Sequence, residues 1–293
     1  MSAKIIDGNQ VAASMREEMK AQIDQRRQES RPLPGLAVVL VGDDPASVSY
    51  VRGKRKMANE VGIHSVEHRF PADFPQAQLL QVIACLNQDP AIHGILVQLP
   101  LPPHLDENTI INALHPDKDV DGLHPVNLGQ LLRQEESFLP CTPHGVQQLL
   151  LRSQIPVAGK HVVVVGRSAL VGRPLANILL QKREGANATV TVCHTGTPDL
   201  GYFTRQADIL VVAAGRPGAI TADMVRGGST VIDVGVTRVE DASRKQGYRL
   251  VGDVDFAAVA EKAGAITPVP GGVGPMTITM LLHNTLWATQ RRG

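Results

Sequence analysis

The stretch SYVRGKRK, Ser49 to Lys56, sets a tyrosine four residues before a lysine inside a basic run. On a helix advancing about 100° per residue, Tyr50 and Lys54 lie roughly 40° apart on one face. Arg52 and Lys56 form a separate pair on nearly the opposite side with Arg55 between, and these three read as a solvated face. A lysine partly removed from water has a lowered pKa and can act as acid or base near neutral pH. A tyrosine beside it can stack on an aromatic substrate and orient the amine. Taken alone, Tyr-x-x-x-Lys is more often a surface lysine lying along a packed tyrosine, so other residues must decide.

A second constellation, HVVVVGRSALVGRPLA, reads as strand, glycine turn and helix. Gly166 and Gly172 can let the chain turn tightly and approach a phosphate, which the helix N-terminus then stabilises. The spacing is G-x-x-x-x-x-G rather than the dinucleotide fingerprint, and a tight turn is the bland alternative. The next strand ends Cys193-His194-Thr195-Gly196, without the acid that usually holds the ribose hydroxyls of NAD. Arg167 in the glycine turn, with a hydroxyl and no carboxylate, suits a ribose 2′-phosphate and hence NADP; its plain reading is a solvated loop cation.

HPDKDVDGLHP opens like a calcium loop, with Asp117, Asp119 and Asp121 before Gly122. Its twelfth position is Leu128 instead of glutamate, and Pro125 interrupts the expected exit helix. Two readings remain: Asp117 and Asp119 as turn residues, and one carboxylate recognising a heterocycle with adjacent N–H donors, as in a pterin. Cys141 and His144 have the spacing of half a zinc site with no second half, so no metal is expected.

The elements that must position these groups alternate along the chain. Val11, Met15, Met19 and Ile23 mark an amphipathic helix; LAVVLVG a buried strand; Ser47–Glu60 a helix; HSVEHRF a strand; Leu79, Val82, Ile83 and Leu86 a helix face; HGILVQLP a strand. This order predicts a parallel sheet covered on both faces. After a loop-rich region from Pro100 to Pro140, Thr142 and Pro143 open a further helix. Then HVVVV, TVTVCH, ADILVVAAG and STVIDVG follow the pattern of a doubly wound nucleotide-binding domain. Met276–Arg291 closes the series as an amphipathic helix.

At 293 residues the chain suits two domains, and 29 Lys+Arg against 28 Asp+Glu leaves no polyanion-attracting field. With 3% aromatics there are few stacking platforms, which argues further against a nucleic-acid binder. Three scattered cysteines point to a reducing, cytoplasmic setting, and no apolar run is long enough to span a bilayer.

Together, SYVRGKRK, GILVQLPLP, PDKDVDGLHPVNLG, PCTPHG, VVVGRSALVGRPLA, VIDVGV, GDVD and TPVPGGVGPMT closely resemble one family. It is that of the bifunctional NADP-dependent methylenetetrahydrofolate dehydrogenases/methenyltetrahydrofolate cyclohydrolases. The resemblance runs from IIDG to the last helix. It implies a two-domain α/β fold: a parallel-sheet catalytic domain over 1–140 with 270–293, the C-terminal helix returning to it, and a Rossmann-type NADP domain over 141–269. The folate cleft would lie between the domains, and the NADP domain would mediate a homodimer. It also implies Lys54 as the catalytic lysine, Tyr50 against the aminobenzoate ring, Gln98 tuning the lysine and Asp121 on the pterin edge. Leu99, Pro100, Pro270, Gly271 and Gly272 would line the folate site. Gly166, Arg167, Ser168, Thr195 and Val236 match NADP-contacting positions. Where the family often has Ser-Lys, this chain has Thr195-Gly196, so 2′-phosphate binding leans more on Arg167.

The implied partners are tetrahydrofolate derivatives, with no nucleic acid and no membrane. The rival readings are another two-domain NADP dehydrogenase acting on a small hydroxy or keto acid, a basic-helix nucleic-acid binder, and a non-catalytic folate-binding homologue.

Overall fold

A computed structural model describes residues 2–244 and 247–292. The chain falls into two compact units, one of Ser14–Cys141 with Ile278–Gly293, the other of Met1–Ala13 with Thr142–Thr277.

The first unit is built on a three-stranded parallel sheet with Gly35–Val41 at its centre, flanked by His64–Phe70 and Gly94–Val97. The central strand, GLAVVLV, is buried along its whole length, as a parallel strand covered on both faces must be. Ala37, Val39 and Val41 pack in one cluster with Leu79, Ile83 and Leu86 of the helix Gln76–Gln88. The helix Pro45–Val61 starts where Asp44 accepts a hydrogen bond from the Ser47 N–H at 2.8 Å and Pro45 takes the first turn. It stops at Gly62, whose φ of 93° only glycine adopts without strain.

The loop-rich stretch 100–140 holds two short helices that lacked a periodic signal, Glu107–Asn112 and Pro125–Leu132. Pro125 opens the second of these instead of preventing it, because proline's missing N–H is no loss in a first turn. Lys118 is buried, its Nζ donating to the carbonyls of Leu86 and Asp89 at 2.8 and 2.7 Å, which ties this stretch to the end of the helix Gln76–Gln88. The last helix, Val273–Arg292, buries Thr279, Asn284, Thr285 and Thr289 as well as its leucines, so it lacks the polar face its sequence suggested.

The second unit carries a six-stranded parallel sheet in the order Lys4–Ile5, Ala265–Ile266, Thr230–Asp233, Ile209–Val212, His161–Val165, Thr189–Cys193. From His161–Val165 the chain runs outward to the edge strand Thr189–Cys193, then crosses back to Ile209–Val212. That reversal is the switch point at which open α/β sheets form a ligand crevice. Residues 1–13 and 270–277, expected with the catalytic domain, lie in this unit: Lys4 and Ile5 pair in register with Ala265 and Ile266, and Asn9 N donates to Gly271 O at 3.2 Å. The helix expected to open at Thr142–Pro143 starts at Cys141. An antiparallel ribbon, Thr237–Glu240 with Tyr248–Val251, had no counterpart in the sequence reading.

Candidate active site

Lys54 sits one turn after Tyr50 on the helix Pro45–Val61. Its Nζ donates to Gln98 Oε1 at 2.9 Å, and Gln98 is buried directly after the strand Gly94–Val97. Gln98 Nε2 in turn donates to the Leu99 carbonyl, which fixes its amide orientation. The Leu99–Pro100 bond is cis. Burial lowers the Lys54 pKa from its ordinary value, while the Asp121 carboxylate acts in the opposite direction. Tyr50 is half exposed, so its ring is not part of the core. Among the neighbouring cations, Arg52 and Lys56 are exposed, whereas Arg55 is half-buried and paired with Glu67 through its Nη1; the expected solvated face is therefore two residues, not three.

Backbone approaches that no local pattern reveals bring Asp121 to this lysine. Asp119 bridges Ile95 of the strand Gly94–Val97. A Cβ on Gly94 would fall 2.6 Å from Val120 Cγ1, so only glycine lets the DKDVDG segment lie against that strand. Gly122, at φ 73°, lets the chain pass close to Leu139 and Pro140, which delivers Cys141 to Asp121. Asn284 of the last helix then ties the segment down, its Nδ2 donating to Val120 O at 2.8 Å and Leu139 O at 3.1 Å. The three aspartates diverge: Asp117 lies exposed in a turn, and Asp119 is fully buried, accepting from His124 N at 2.7 Å and Asn127 Nδ2 at 2.8 Å. Of the three, only Asp121 acts electrostatically on the lysine. Cys141 is buried beside it, and burial first, then the Asp121 charge, pushes its thiol pKa well up, keeping it protonated.

The other unit presents a different edge. Gly166 ends the strand His161–Val165 at φ 125°; a Cβ there would lie 2.2 Å from Ala213 O, and one on Gly172 would lie 2.1 Å from Gly166 O. Both glycines are thus required for a cradle closed on itself at the switch point. The helix Gly172–Leu180 begins at Gly172 with no side-chain cap on its N-cap residue. In its first turn Pro174 has no N–H and Arg173 N donates to Ser168 O at 3.1 Å, which leaves the Gly172 N–H to favour an anion. Arg167 and Ser168 lie exposed in the turn, and Arg173, absent from the sequence-based set, donates its Nε to Arg167 O at 2.9 Å. Thr195 is exposed beyond the edge strand, and Gly196 N donates to His194 Nδ1 at 3.1 Å. Val236 is 46% exposed after the strand Thr230–Asp233. Pro270, Gly271 and Gly272 belong to this same unit, seated on the start of the helix Gly8–Gln28, where a Gly8 Cβ would strike Gly272 O.

Residues 6–121 match the profile of the tetrahydrofolate dehydrogenase/cyclohydrolase catalytic domain. Residues 140–293 match that of the tetrahydrofolate dehydrogenase/cyclohydrolase NAD(P)-binding domain. A bifunctional protein FolD of Dehalococcoides mccartyi is 59% identical over 292 residues, covering 99% of this chain and 98% of that relative. The chain belongs to the tetrahydrofolate dehydrogenase/cyclohydrolase family.

Among solved members of the family, the FolD methylenetetrahydrofolate dehydrogenase/cyclohydrolase of Campylobacter jejuni is 45% identical with a TM-score of 0.93 over 100% of both chains. The Trypanosoma brucei methylenetetrahydrofolate dehydrogenase-cyclohydrolase, solved with NADP cofactor and an inhibitor, is 43% identical with a TM-score of 0.93 over 100% of this chain and 99% of that one. The family's NAD(P) finds a fitting cradle here in Gly166, Gly172 and the uncapped helix start, with Arg167 beside it. Cys141 and Asn284 are neighbours of the Lys54–Asp121 group that sequence reasoning missed. Within PCTPHG, only the location of Cys141 directly after the folding-back segment hinted at the first.

Proposed function

We infer that this chain oxidises 5,10-methylenetetrahydrofolate to 5,10-methenyltetrahydrofolate with NADP, then hydrolyses that product to 10-formyltetrahydrofolate. The observation that carries this is the partly buried Lys54 amine held by Gln98 Oε1, with the Asp121 carboxylate acting on it. The full-length identity to bifunctional relatives favours the folate reading over a hydroxy- or keto-acid dehydrogenase.

Bound NADP⁺ supplies the hydride acceptor. The chain's own residues orient the substrate and move protons. Tyr50 stacks on the aminobenzoate ring, Leu99 and Pro100 line the folate, and Asp121 accepts from the adjacent N–H donors of the pterin. Pro270, Gly271 and Gly272 are assigned to the folate by resemblance to the family. In hydrolysis, water adds to the methenyl carbon and Lys54 Nζ takes one of its protons. As the carbon–N5 bond breaks, Lys54 returns that proton to N5, while the hydroxyl proton of the tetrahedral adduct goes to solvent and leaves the formyl group. A lysine whose charged form is disfavoured by burial spends more time neutral and ready to accept. Gln98 fixes where the amine points.

Gly166, Arg167, Ser168, Thr195 and Val236 hold the NADP. The protein is placed in the cytoplasm, in keeping with its three free thiols. It forms a homodimer through the NADP domain, whose edge strand Thr189–Cys193 leaves Val192 38% exposed. Sedimentation measures that state.

Lys54→Met tests the reading. We expect hydrolysis of methenyltetrahydrofolate to fall by roughly 10³-fold or more, while folate binding stays within a few-fold. Hydrolysis at the wild-type rate would sink it.

A further inference from the structure

Two carboxylates, Asp233 of VIDVGV and Asp253 of GDVD, remain without a role in this chemistry, and the structure interlocks the two motifs. Asp233 ends the strand Thr230–Asp233 and is 3% exposed; Asp253 is fully buried. Asp233 Oδ1 accepts from the N–H groups of Gly235 and Asp253, each at 3.0 Å, and Oδ2 accepts from Val254 N at 3.0 Å. Asp253 Oδ2 accepts from Gly215 N at 2.8 Å, while its Oδ1 is buried with no hydrogen-bond partner among the described residues.

The two segments, Asp-Val-Gly and Gly-Asp-Val, seat each glycine against the other's carboxylate. A Cβ on Gly252 would lie 1.9 Å from Asp233 Oδ2, and one on Gly235 would lie 2.3 Å from Asp253 Oδ1. Neither carboxylate faces a cation at ion-pair distance among the described residues; both are held by backbone N–H groups. Burial pushes Asp233 up to about 6 and raises Asp253 as well, so the pair costs stability. A core needing only to be filled would use apolar residues there. What the carboxylates hold is specific. Asp253 binds the 214–216 loop immediately after Ala213, the residue against which the Gly166 cradle closes. Asp233 holds Gly235, one residue before Val236.

We propose that Asp233 and Asp253 are positioning residues of the NADP site: their interlocked carboxylates fix the 213–216 and 234–236 loops in the shape that receives the nucleotide. This rests on the NADP reading above and goes beyond it, because both side chains are buried and would act only through the backbone they hold. The carboxylates replace, with fixed backbone bonds, the ordering that nucleotide binding would otherwise have to impose on two loops.

The test compares wild type with Asp253→Asn, whose neutral amide replaces the carboxylate that accepts from the Gly215 N–H. NADP affinity is read by titration calorimetry and methenyltetrahydrofolate hydrolysis is followed in the same preparation. The expected loss of NADP affinity is roughly tenfold or more beyond any loss of hydrolysis rate. A general folding defect would lower both together. Equal losses, or affinity within about twofold of wild type, overturn the proposal. Wild type that fails to bind NADP would instead overturn the cofactor reading itself.

Should Asp253→Asn not fold, amide hydrogen exchange on the nucleotide-free wild-type chain decides. The N–H groups of Gly215, Gly235 and Val254 are expected to be protected before NADP is added. Fast exchange that slows only with NADP would show that the loops are ordered by the nucleotide and not by the carboxylates.

Discussion

The chain carries its chemistry at two sheet edges that are built in opposite ways. At the edge of the three-stranded sheet, the ionisable groups Lys54, Asp121 and Cys141 gather, with the Gln98 amide bonded to the lysine. At the edge of the six-stranded sheet, the ionisable groups Asp233 and Asp253 are turned inward onto backbone, and the surface is shaped by glycines. The first arrangement suits moving protons. The second suits holding a large anionic ligand that brings its own reactivity. Enlarging a glycine should therefore damage nucleotide binding, and changing a charge should damage hydrolysis.

The largest effect that would break this contrast is at Gly166. Gly166→Ala drives a methyl group into Ala213 O, and NADP binding should weaken by roughly 100-fold, read by calorimetry, with hydrolysis much less affected. Comparable losses in both would mean that the two edges are not separable. Next comes Gln98→Glu. A carboxylate beside Lys54 stabilises the ammonium and raises its pKa, so hydrolysis at pH 7 should drop about tenfold and its rising limb should move to higher pH. An unmoved pH profile would separate the lysine from the rate. A smaller effect is expected at Gly196, where restoring a cation with Gly196→Lys should improve NADP over NAD discrimination by about threefold to tenfold. No change in the ratio of the two dissociation constants would show that Arg167 alone reads the 2′-phosphate.

The smallest effect concerns stability. The folded Lys54 pKa lies below its unfolded value of 10.5, because burial disfavours the charged form. Between those two values the unfolded chain binds more protons, so stability rises with pH through that window. Below it the cost of burying the cation is fully present, and above 10.5 it is gone. Lys54→Met should remove the cost, raising the melting midpoint at pH 7 by roughly 2–4 °C while abolishing hydrolysis. A lowered midpoint would mean that the lysine contributes more through its bonds than burial takes away.

The parts of the molecule that the sequence disclosed are those with local signals. GLAVVLV and HVVVV are continuous apolar strands, and the helix Pro45–Val61 is bracketed by Asp44-Pro45 and Gly62, so each is legible without its neighbours. Lys54 and Tyr50 share a face by helical spacing alone. What stayed hidden depends on partners distant in sequence. The fit of Gly94 against Val120, the Asn284 bonds to Val120 and Leu139, and the burial of Lys118 onto helix-end carbonyls leave no periodic trace. The short helices Glu107–Asn112 and Pro125–Leu132 are held by such contacts, not by an amphipathic repeat. The placement of Lys4–Ile5 in the six-stranded sheet is a two-residue pairing that no window of sequence reveals.

Among the described residues no helix is long and apolar enough to cross a membrane. The measurement that tests the division of labour between the two sheet edges most directly uses the wild-type chain. Oxidation of 5,10-methylenetetrahydrofolate is followed with NADP and with NAD at the same low concentration, and the folate products are separated. The expected result is faster oxidation with NADP, with 10-formyltetrahydrofolate as the end product and the methenyl form passing through. Equal rates with NAD would contradict the role given to Arg167, and accumulation of the methenyl form would contradict the role given to Lys54.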